Sequence, residues 1–493
     1  MCGLPVASGV AFDRETPIGQ NCPMPDLTPL FFPASVAIVG ASSNPQALVN
    51  RNYVRTLLDF GYKGRVYPVN PHLSEVMGIT AYPSLLDVPE PVDYVVCGLP
   101  ARLTPGLMEQ CVAARARMVS LYSAGFGETA EPERLELERT IADIARRGGV
   151  RIVGPNCLGV HNPSAGVSFE SDCRRDRGIV SFLSQSGGNA RDLIRVGRQR
   201  GISYCKGISY GNAADLNEAD FLQYFAADKD TGVIGAYIEG IKEPGRFLDA
   251  LMQGTEAKPV IVLKGGRTPA GARAVNSHTG ALAGEREVWD AICRQRKVLQ
   301  VEDIEEMADI FLAFSYLDPP RGRRVGIIGI GGGSSVQAAD DCERIGLTVP
   351  PLPSALREEL KAFTPLTGVG LSNPIDTAAD VYWDAESYAR TVRLVAGFDG
   401  VDMVFVVIPV IYAVMRGTHV LGEQVEAIVR VAQECGKPLA MVLRTGGMVD
   451  AETAAAEMRE HCIAARVPVF PGVRHAARAV HHLAWYYEKR SVE

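Results

Sequence analysis

The sequence predicts an α/β protein made of open parallel sheets, and three observations support this fold class. After about residue 30, short apolar runs alternate with helical patterns, which is typical of strands and helices that follow one another in parallel sheets. The chain has 493 residues, and at about 150 residues per domain this length predicts roughly three domains. Its composition, 47% hydrophobic and 22% charged, is that of a globular protein able to bury several cores.

The first sheet is predicted within residues 30–160. It follows an extension over residues 1–29 that is rich in Pro and Gly and shows no sustained period. Each apolar run in this block is short and is followed by a turn or a helical pattern, so a Rossmann-like domain is expected. The runs are VAIVG (36–40), GRVYPVNP (64–71), VDYVVCGLP (92–100), RMVSLYSAG (117–125) and VRIVGPN (150–156).

Two further α/β units are predicted over residues 175–315 and 322–490. They are joined by a linker rich in Pro and charged residues, and they open alike, with RGIVSFLSQSGG beside RRVGIIGIGGGSS. The similarity hints at two copies of one open unit. Their other apolar runs are VIGAYIEG (233–240), KPVIVLKGG (258–266), VDMVFVVIP (401–409) and KPLAMVLRTGG (437–447).

Charge, hydropathy and cysteine content exclude several classes of function. With 50 Lys and Arg against 57 Asp and Glu, the net charge is −7, and the absence of basic runs argues against a nucleic-acid partner. No apolar run approaches the roughly 18 residues that span a bilayer, so no membrane association is expected. The 11 cysteines are scattered without C-x-x-C or zinc spacing. This pattern predicts reduced thiols, no metal site and a cytoplasmic protein.

The turn after the first strand contains a single glycine, Gly40, in place of the dinucleotide fingerprint G-x-G-x-x-G. The second strand ends in Val69-Asn70-Pro71-His72, without the acid that binds a ribose hydroxyl of NAD. Free N–H groups at the following helix start would favour a phosphate. A neutral Asn70 would tolerate a ligand with an additional ribose phosphate, such as coenzyme A. A structural turn without ligand is the alternative.

A histidine stands in a loop of small residues, 265–284, which ends in NSHTGALAG and precedes a helix predicted to begin near Glu285. Such a loop moves easily and exposes His278, whose imidazole can accept a phosphoryl group on nitrogen. Glu239, at the end of the run VIGAYIEG, could hold the other ring nitrogen. The alternative is a loop histidine that caps a helix or faces water.

Two turns could hold the oxygens of a phosphorylated imidazole. The first, SQSGG (184–188), offers hydroxyl groups and backbone N–H groups at a helix start. The second is GPNCLG (154–159). Within it Cys157 is interpreted as a small packed residue, which we favour over a nucleophile.

Together, these motifs resemble the α subunit of NDP-forming acyl-CoA synthetases, relatives of succinyl-CoA synthetase. They lie in order over about residues 30–480. Each motif is weakly diagnostic alone, and the set is highly specific. The residues that carry the resemblance are VAIVGAS, YPVNP, GPNCLG, SQSGG, ISYGNAAD, YIEG, KPVIVLKGGRTPAGARAVNSHTGALAG, GIGGG, SNPID and VPVFPG.

The resemblance implies a CoA-binding Rossmann domain followed by two flavodoxin-like ligase domains. It implies a phosphohistidine at His278, in SHTG, partnered by Glu239, in YIEG. The CoA contacts that it implies are Gly40, Ala41, Ser42, Asn70, Pro71 and Pro100. The acyl and phosphate groups would lie near Asn156, Cys157, Ser184, Ser186 and Gly187.

The resemblance also implies a partner. In this family ATP and Mg²⁺ are handled by an ATP-grasp module, but three α/β units occupy this chain, and its glycine-rich turn 331–335 lacks a P-loop lysine. We therefore expect an ATP-grasp β subunit, a small carboxylic acid substrate, and a hetero-oligomer or homodimer. A non-catalytic CoA-binding homologue is the alternative. The missing fingerprint disfavours a nicotinamide-dependent oxidoreductase.

Overall fold

Three parallel sheets follow one another along the chain, so the predicted α/β class is confirmed. The fold was obtained as a computed structural model that describes residues 24–44, 53–279, 286–329, 331–364, 370–376 and 384–490, without the side chains of 276–279. Within these ranges, none of the helices has both the length and the apolar character needed to cross a bilayer.

The first sheet has five parallel strands, and an isolated bridge between Val69 and Tyr82 extends it at one edge. Counting that bridge as a strand gives the order 3-2-1-4-5-6, which is the Rossmann order. In sheet order the strands are Arg65–Val69, Ser35–Val39, Tyr94–Cys97, Met118–Leu121 and Arg151–Val153. The helices of more than one turn are Tyr53–Phe60, Thr104–Ala113 and Pro132–Gly148.

The second sheet has five parallel strands in the flavodoxin order, and a sixth, antiparallel strand at one edge. Its central strand Val180–Ser184 is completely buried, as the apolar run predicts. In sheet order the strands are Leu299–Val301, Val260–Lys264, Val233–Ile238, Val180–Ser184, Tyr204–Ser209 and Gly159–His161. The helices are Gly187–Arg200, Glu218–Ala227, Pro244–Ala257, Pro269–Thr279, Arg286–Gln295 and Ile304–Tyr316.

The third sheet has four parallel strands, and Ile375 adds a parallel bridge beside Ile328. With that bridge, its order matches the parallel part of the second sheet, which agrees with their similar opening sequences. The strands are Val325–Ile328, Met403–Pro409, Leu439–Arg444 and Val469–Phe470. The helices described here are Gly332–Arg344, Ser354–Lys361, Ala385–Gly397, Val410–Arg416, Thr418–Glu434, Val449–Ala464 and Val473–Arg490.

The segment between the first two sheets joins them closely. Strand Gly159–His161 pairs antiparallel with Tyr204–Ser209, at the edge of the second sheet. The short helix Thr28–Phe31 packs on the same unit, where the ring of Phe31 stacks on that of Tyr224 with centroids 4.9 Å apart. Chain that precedes the first strand therefore packs against the second unit. Residues 1–23 of the predicted extension lie outside the described residues.

The prediction of an irregular loop over 265–284 was wrong in part, because Pro269–Thr279 forms a helix. Pro269 occupies the first turn, where a proline leaves no backbone hydrogen bond unmade. Alanines at 270, 272 and 274 have the highest helix propensity of all residues. The small residues that suggested mobility are therefore partly helix formers. Residues 280–285 lie outside the described part.

The second and third units pack through helices Ile304–Tyr316 and Val473–Arg490. Asp309, which is 2% exposed, lies in this contact. One carboxylate oxygen of Asp309 accepts a hydrogen bond from the buried Arg200 guanidinium, and the other lies 2.7 Å from Nδ1 of His475. Burial and the neighbouring Arg200 and Arg478 lower the pKa of His475, so the neutral ring donates its Nδ1–H.

Candidate functional site: a cleft in the first domain and a carboxylate at the second sheet

A cavity of ≈ 550 Å³ opens at the carboxyl edge of the first sheet. It contains three of the predicted CoA contacts, Gly40, Asn70 and Pro71. Ala41 is buried beside the cavity, and the partly exposed Ser42 follows it. Pro100 is exposed next to a lining residue and precedes the short helix Ala101–Leu103. The lining residues are Val39, Gly40, Val69, Asn70, Pro71, His72, Pro83, Ser84, Gly98, Leu99, Leu103, Gly106, Leu107 and Gln110.

Asn70 holds the two loops of this cleft together. Its Nδ2 donates to the carbonyl of Ala41 at 2.8 Å, and its Oδ1 accepts from the N–H of His72 at 2.9 Å. Gly40 adopts a φ of +85° and donates its N–H to the carbonyl of Val69 at 2.9 Å. Asn70 is neutral, as the CoA prediction requires, and it also shapes the turn. Residues 45–52, which precede helix Tyr53–Phe60, lie outside the described residues, so the phosphate-binding helix start stays a prediction.

Glu239 lies at the carboxyl edge of the second sheet, directly after strand Val233–Ile238, and is 6% exposed. Its Oε1 accepts a hydrogen bond from the hydroxyl of Tyr237 at 3.1 Å. Its Oε2 is buried and has no hydrogen-bond partner among the described residues. Burial first, and then the Glu239 carboxylate, raise the pKa of Tyr237, so the hydroxyl stays a donor. The Oε2 of Glu239 is thus a buried acceptor that awaits a donor.

The turn Ser184-Gln185-Ser186-Gly187 lies beside Glu239. Gln185 Oε1 accepts from the N–H groups of Glu239 and Gly240 at 2.6 and 3.0 Å. These hydrogen bonds fix the main chain from which the Glu239 carboxylate extends. Ser184 Oγ donates to the carbonyl of Ser186, and Ser186 Oγ caps the helix that begins at Gly187. Backbone N–H groups of that first turn suit a phosphate.

The turn 154–159 lies against the same helix start. The N–H of Leu158 donates to Ser209 Oγ at 3.2 Å, and a Cβ on Gly187 would lie 3.0 Å from Leu158 Cγ. Asn156, with φ +57°, donates from Nδ2 to Asn212 Oδ1 at 3.4 Å. The structure therefore places the two predicted phosphate-binding turns side by side.

Cys157 is buried within the turn 154–159. Burial raises the pKa of its thiol to about 12, so the thiolate is scarce near neutral pH. Its Sγ lies close to the carbonyls of Val153 and Leu121, at 3.4 and 3.6 Å. These contacts support the interpretation of a packed residue.

His278 lies in the last turn of helix Pro269–Thr279, and its side chain is outside the described residues. That helix packs against the turn Gly127–Thr129 of the first domain. The chain that leads to it leaves the second sheet at Gly265, whose N–H donates to the carbonyl of Ile238 at 2.8 Å. The pairing of His278 with Glu239 thus stays a prediction.

Three side chains around Glu239 were not predicted as site residues from the sequence. They are Gln185, Glu218 and Lys264, which contact the main chain of residues 239–242. Glu218 is fully buried and accepts from the N–H of Lys242 at 2.8 Å, and burial raises its pKa. The charge of Lys264 at the end of the apolar run VIVLK was an available signal, whereas Gln185 and Glu218 lie in polar segments. Sequence alone does not show which backbone groups these residues contact.

Three family models match the chain in the order of its three units. A CoA binding domain matches residues 34–163, a succinyl-CoA ligase like flavodoxin domain matches residues 177–314, and a ligase-CoA domain matches residues 325–482. The cavity lined by Gly40, Asn70 and Pro71 lies in the first of these and Glu239 in the second.

Relatives of known name agree with these models. The chain is 35% identical to the ADP-forming acetate–CoA ligase II subunit alpha of Pyrococcus furiosus, over 84% of this chain and 89% of that one. It is 34% identical to subunit alpha of ligase I of the same organism, over 92% and 96% of the two chains. It is also 35% identical to the ADP-forming acetate–CoA ligase I of Archaeoglobus fulgidus, of which it spans 54%.

A solved structure shows the same arrangement. The dinucleotide forming acetyl-coenzyme A synthetase 1 of Ca. Korarchaeum cryptofilum, in complex with phosphate and ADP, superimposes with a TM-score of 0.80 at 31% identity. The match covers 94% of this chain and 98% of that one. The resemblance inferred from the motifs is thereby confirmed, and the chain belongs to the ADP-forming acyl-CoA ligases, within which it corresponds to the α subunit.

Proposed function

We propose that this chain forms acyl-CoA from a carboxylic acid and CoA through a phosphohistidine at His278 and an acyl phosphate. The observation that carries the proposal is the buried Oε2 of Glu239, which has no partner within the described part of the chain and lies beside the helix start at Gly187. A protonated imidazole nitrogen would satisfy this acceptor, and the helix start would bind the phosphoryl oxygens.

The reaction consists of two phosphoryl transfers and one acyl transfer, and each step uses a different group of residues. His278 receives the terminal phosphoryl group of ATP, which a separate ATP-grasp chain would bind with Mg²⁺, and ADP leaves. The carboxylate of the substrate then takes that phosphoryl group near Ser184, Ser186 and Gly187, which releases the imidazole. The thiolate of CoA, held in the cleft of the first domain, attacks the acyl carbon, and phosphate leaves.

The partner and the compartment are part of the same proposal. We infer an ATP-grasp β subunit, since the two Pyrococcus furiosus relatives are named as α subunits and the three units of this chain match other domains. Every one of the nine cysteines in the described ranges is a free thiol, which supports a reducing compartment such as the cytoplasm. A small carboxylic acid is the substrate class.

Acetyl [³²P]phosphate tests the phosphohistidine without the partner chain, because it presents the acyl phosphate directly to His278. We expect acid-labile, base-stable label on the wild-type chain and none on His278→Ala. Label that survives this substitution would contradict the assignment of His278. A wild-type chain that binds CoA but takes up no label would favour the non-catalytic homologue.

Asn70 provides a test of the CoA cleft. Asn70→Asp adds a negative charge where we expect the ribose phosphate, and should raise the Kd of CoA by about 10-fold more than Asn70→Ala does. Both variants lose the hydrogen bond to Ala41, whereas only Asn70→Asp keeps an acceptor for the N–H of His72. The effect of the charge is therefore the part of the loss that differs between CoA and dephospho-CoA. Calorimetry with CoA and dephospho-CoA measures it. An equal loss for the two ligands would contradict a ribose phosphate near Asn70.

A further inference from the structure

We propose that Lys264 is a positioning residue of the phosphoryl-transfer site. Its ammonium group holds the main chain of Glu239 and that of Gly265 together, and the segment that carries His278 begins at Gly265. The inference rests on the proposed function and concerns a residue that the motifs did not single out as part of the site. Lys264 is the last residue of strand Val260–Lys264, at the carboxyl edge of the second sheet.

The contacts of Lys264 join the two parts of the site. Its Nζ donates to the carbonyl of Glu239 at 2.6 Å and to the carbonyl of Gly265 at 2.6 Å. Gly265 also packs on the carboxylate side chain, because a Cβ built there would lie 3.2 Å from Glu239 Cγ. Gly266, with φ +76°, then turns the chain towards helix Pro269–Thr279. One ammonium group therefore fixes the position of the Glu239 main chain and that of Gly265, where the segment leading to His278 begins.

A buried lysine would be costly if its only role were to fill space. Lys264 is 7% exposed, and two main-chain carbonyls and a nearby carboxylate compensate its charge. The charged groups that face it are Glu239, directly after the neighbouring strand, and Arg267, in the loop that follows Lys264. Arg267 pairs with Asp290 at 3.7 Å. The neutral hydroxyl of Tyr237, which is hydrogen-bonded to Glu239, is another titratable group nearby.

Burial, with Arg267 as a smaller cause, lowers the pKa of Lys264 to about 8, although Glu239 opposes the shift. The ammonium group is thus present near neutral pH and is lost as the pH rises through about 8. The loss of the charge weakens both hydrogen bonds and removes a cation beside Glu239. The rate of phosphoryl transfer should therefore fall as the pH rises through about 8. This alkaline limb of the pH–rate profile should result from the deprotonation of Lys264.

Single-turnover labelling with acetyl [³²P]phosphate from pH 6 to 10 tests this assignment. Lys264→Met should label about 10- to 100-fold more slowly at pH 7, since small displacements of reacting groups cost factors of this size, and should lose the alkaline limb. Lys264→Arg keeps its charge at every pH tested, so the alkaline limb should be absent from this pH range. Thermal denaturation checks that each variant folds.

Lys258, at the other end of the same polypeptide run, is the matched control. Its Nζ also donates to two main-chain carbonyls, those of Phe225 and Asp228, and burial lowers its pKa too. Lys258→Met should leave the rate and the pH profile unchanged. An alkaline limb that is the same in wild type, Lys264→Arg and Lys264→Met would overturn the role of Lys264. A wild-type chain that takes up no label would instead count against the proposed function.

Discussion

Glu239→Gln is expected to slow labelling of His278 by acetyl phosphate by about 100-fold or more. The substitution keeps the size of the side chain and an oxygen that can accept from Tyr237. It removes the negative charge that would orient the imidazole and stabilise the cation formed on it during phosphoryl transfer. The measurement is the single-turnover rate at saturating acetyl phosphate, with CoA affinity as a check on the separate cleft.

Glu243→Gln is the matched control for this prediction. Glu243 lies four residues further along, is exposed, and pairs with Arg246 at 2.9 Å. Its neutralisation should change the labelling rate by less than about 2-fold, since exposed ion pairs contribute little. If both variants label at the wild-type rate, Glu239 is not the partner of His278.

Asp309→Ala should give the largest loss of stability, about 3–5 kcal/mol, because it removes the buried carboxylate from Arg200 and leaves only the half-exposed Glu305 to pair with that guanidinium. Asp309 is held by Arg200 from the second unit and by His475 from the third, so the loss should appear in the packing of the two units. Urea denaturation followed by fluorescence and by circular dichroism measures the shift of the midpoint.

Glu358→Ala is the control for stability, since Glu358 forms an exposed ion pair with Lys361 at 2.6 Å. Its removal should cost less than about 0.5 kcal/mol. If Asp309→Ala shifts the midpoint no more than this variant, the contact between the units is not held by the buried charges.

The sequence predicted the elements of the fold well where the signal was local. Apolar runs such as VAIVG and VIGAYIEG became buried parallel strands, because β-branched residues on both faces suit a sheet covered on both sides. The helix Pro269–Thr279 was missed, because small residues indicate both mobility and high helix propensity. The bridge at Tyr82 was missed as well, since no apolar run marks it.

For the site, the sequence located the motifs but not their contacts. Glu239 follows a strand, so its position at the carboxyl edge of a sheet could be inferred. Gln185 lies within a motif that was interpreted only through its serines and glycines, and its two hydrogen bonds to residues 239 and 240 join segments 54 and 55 positions apart. No spacing in the chain encodes such a pair.

The sequence by itself determined the three α/β units, their order and the family, because periodicity and short motifs depend on neighbouring residues. Only the tertiary structure decided which buried polar atoms are satisfied: Asn70 closes the turn at Ala41, Lys264 bonds the carbonyls of Glu239 and Gly265, and Glu239 keeps one oxygen without a partner among the described residues. The physical reason is that hydrogen bonding depends on distances of about 3 Å between atoms far apart in the chain, which packing alone sets.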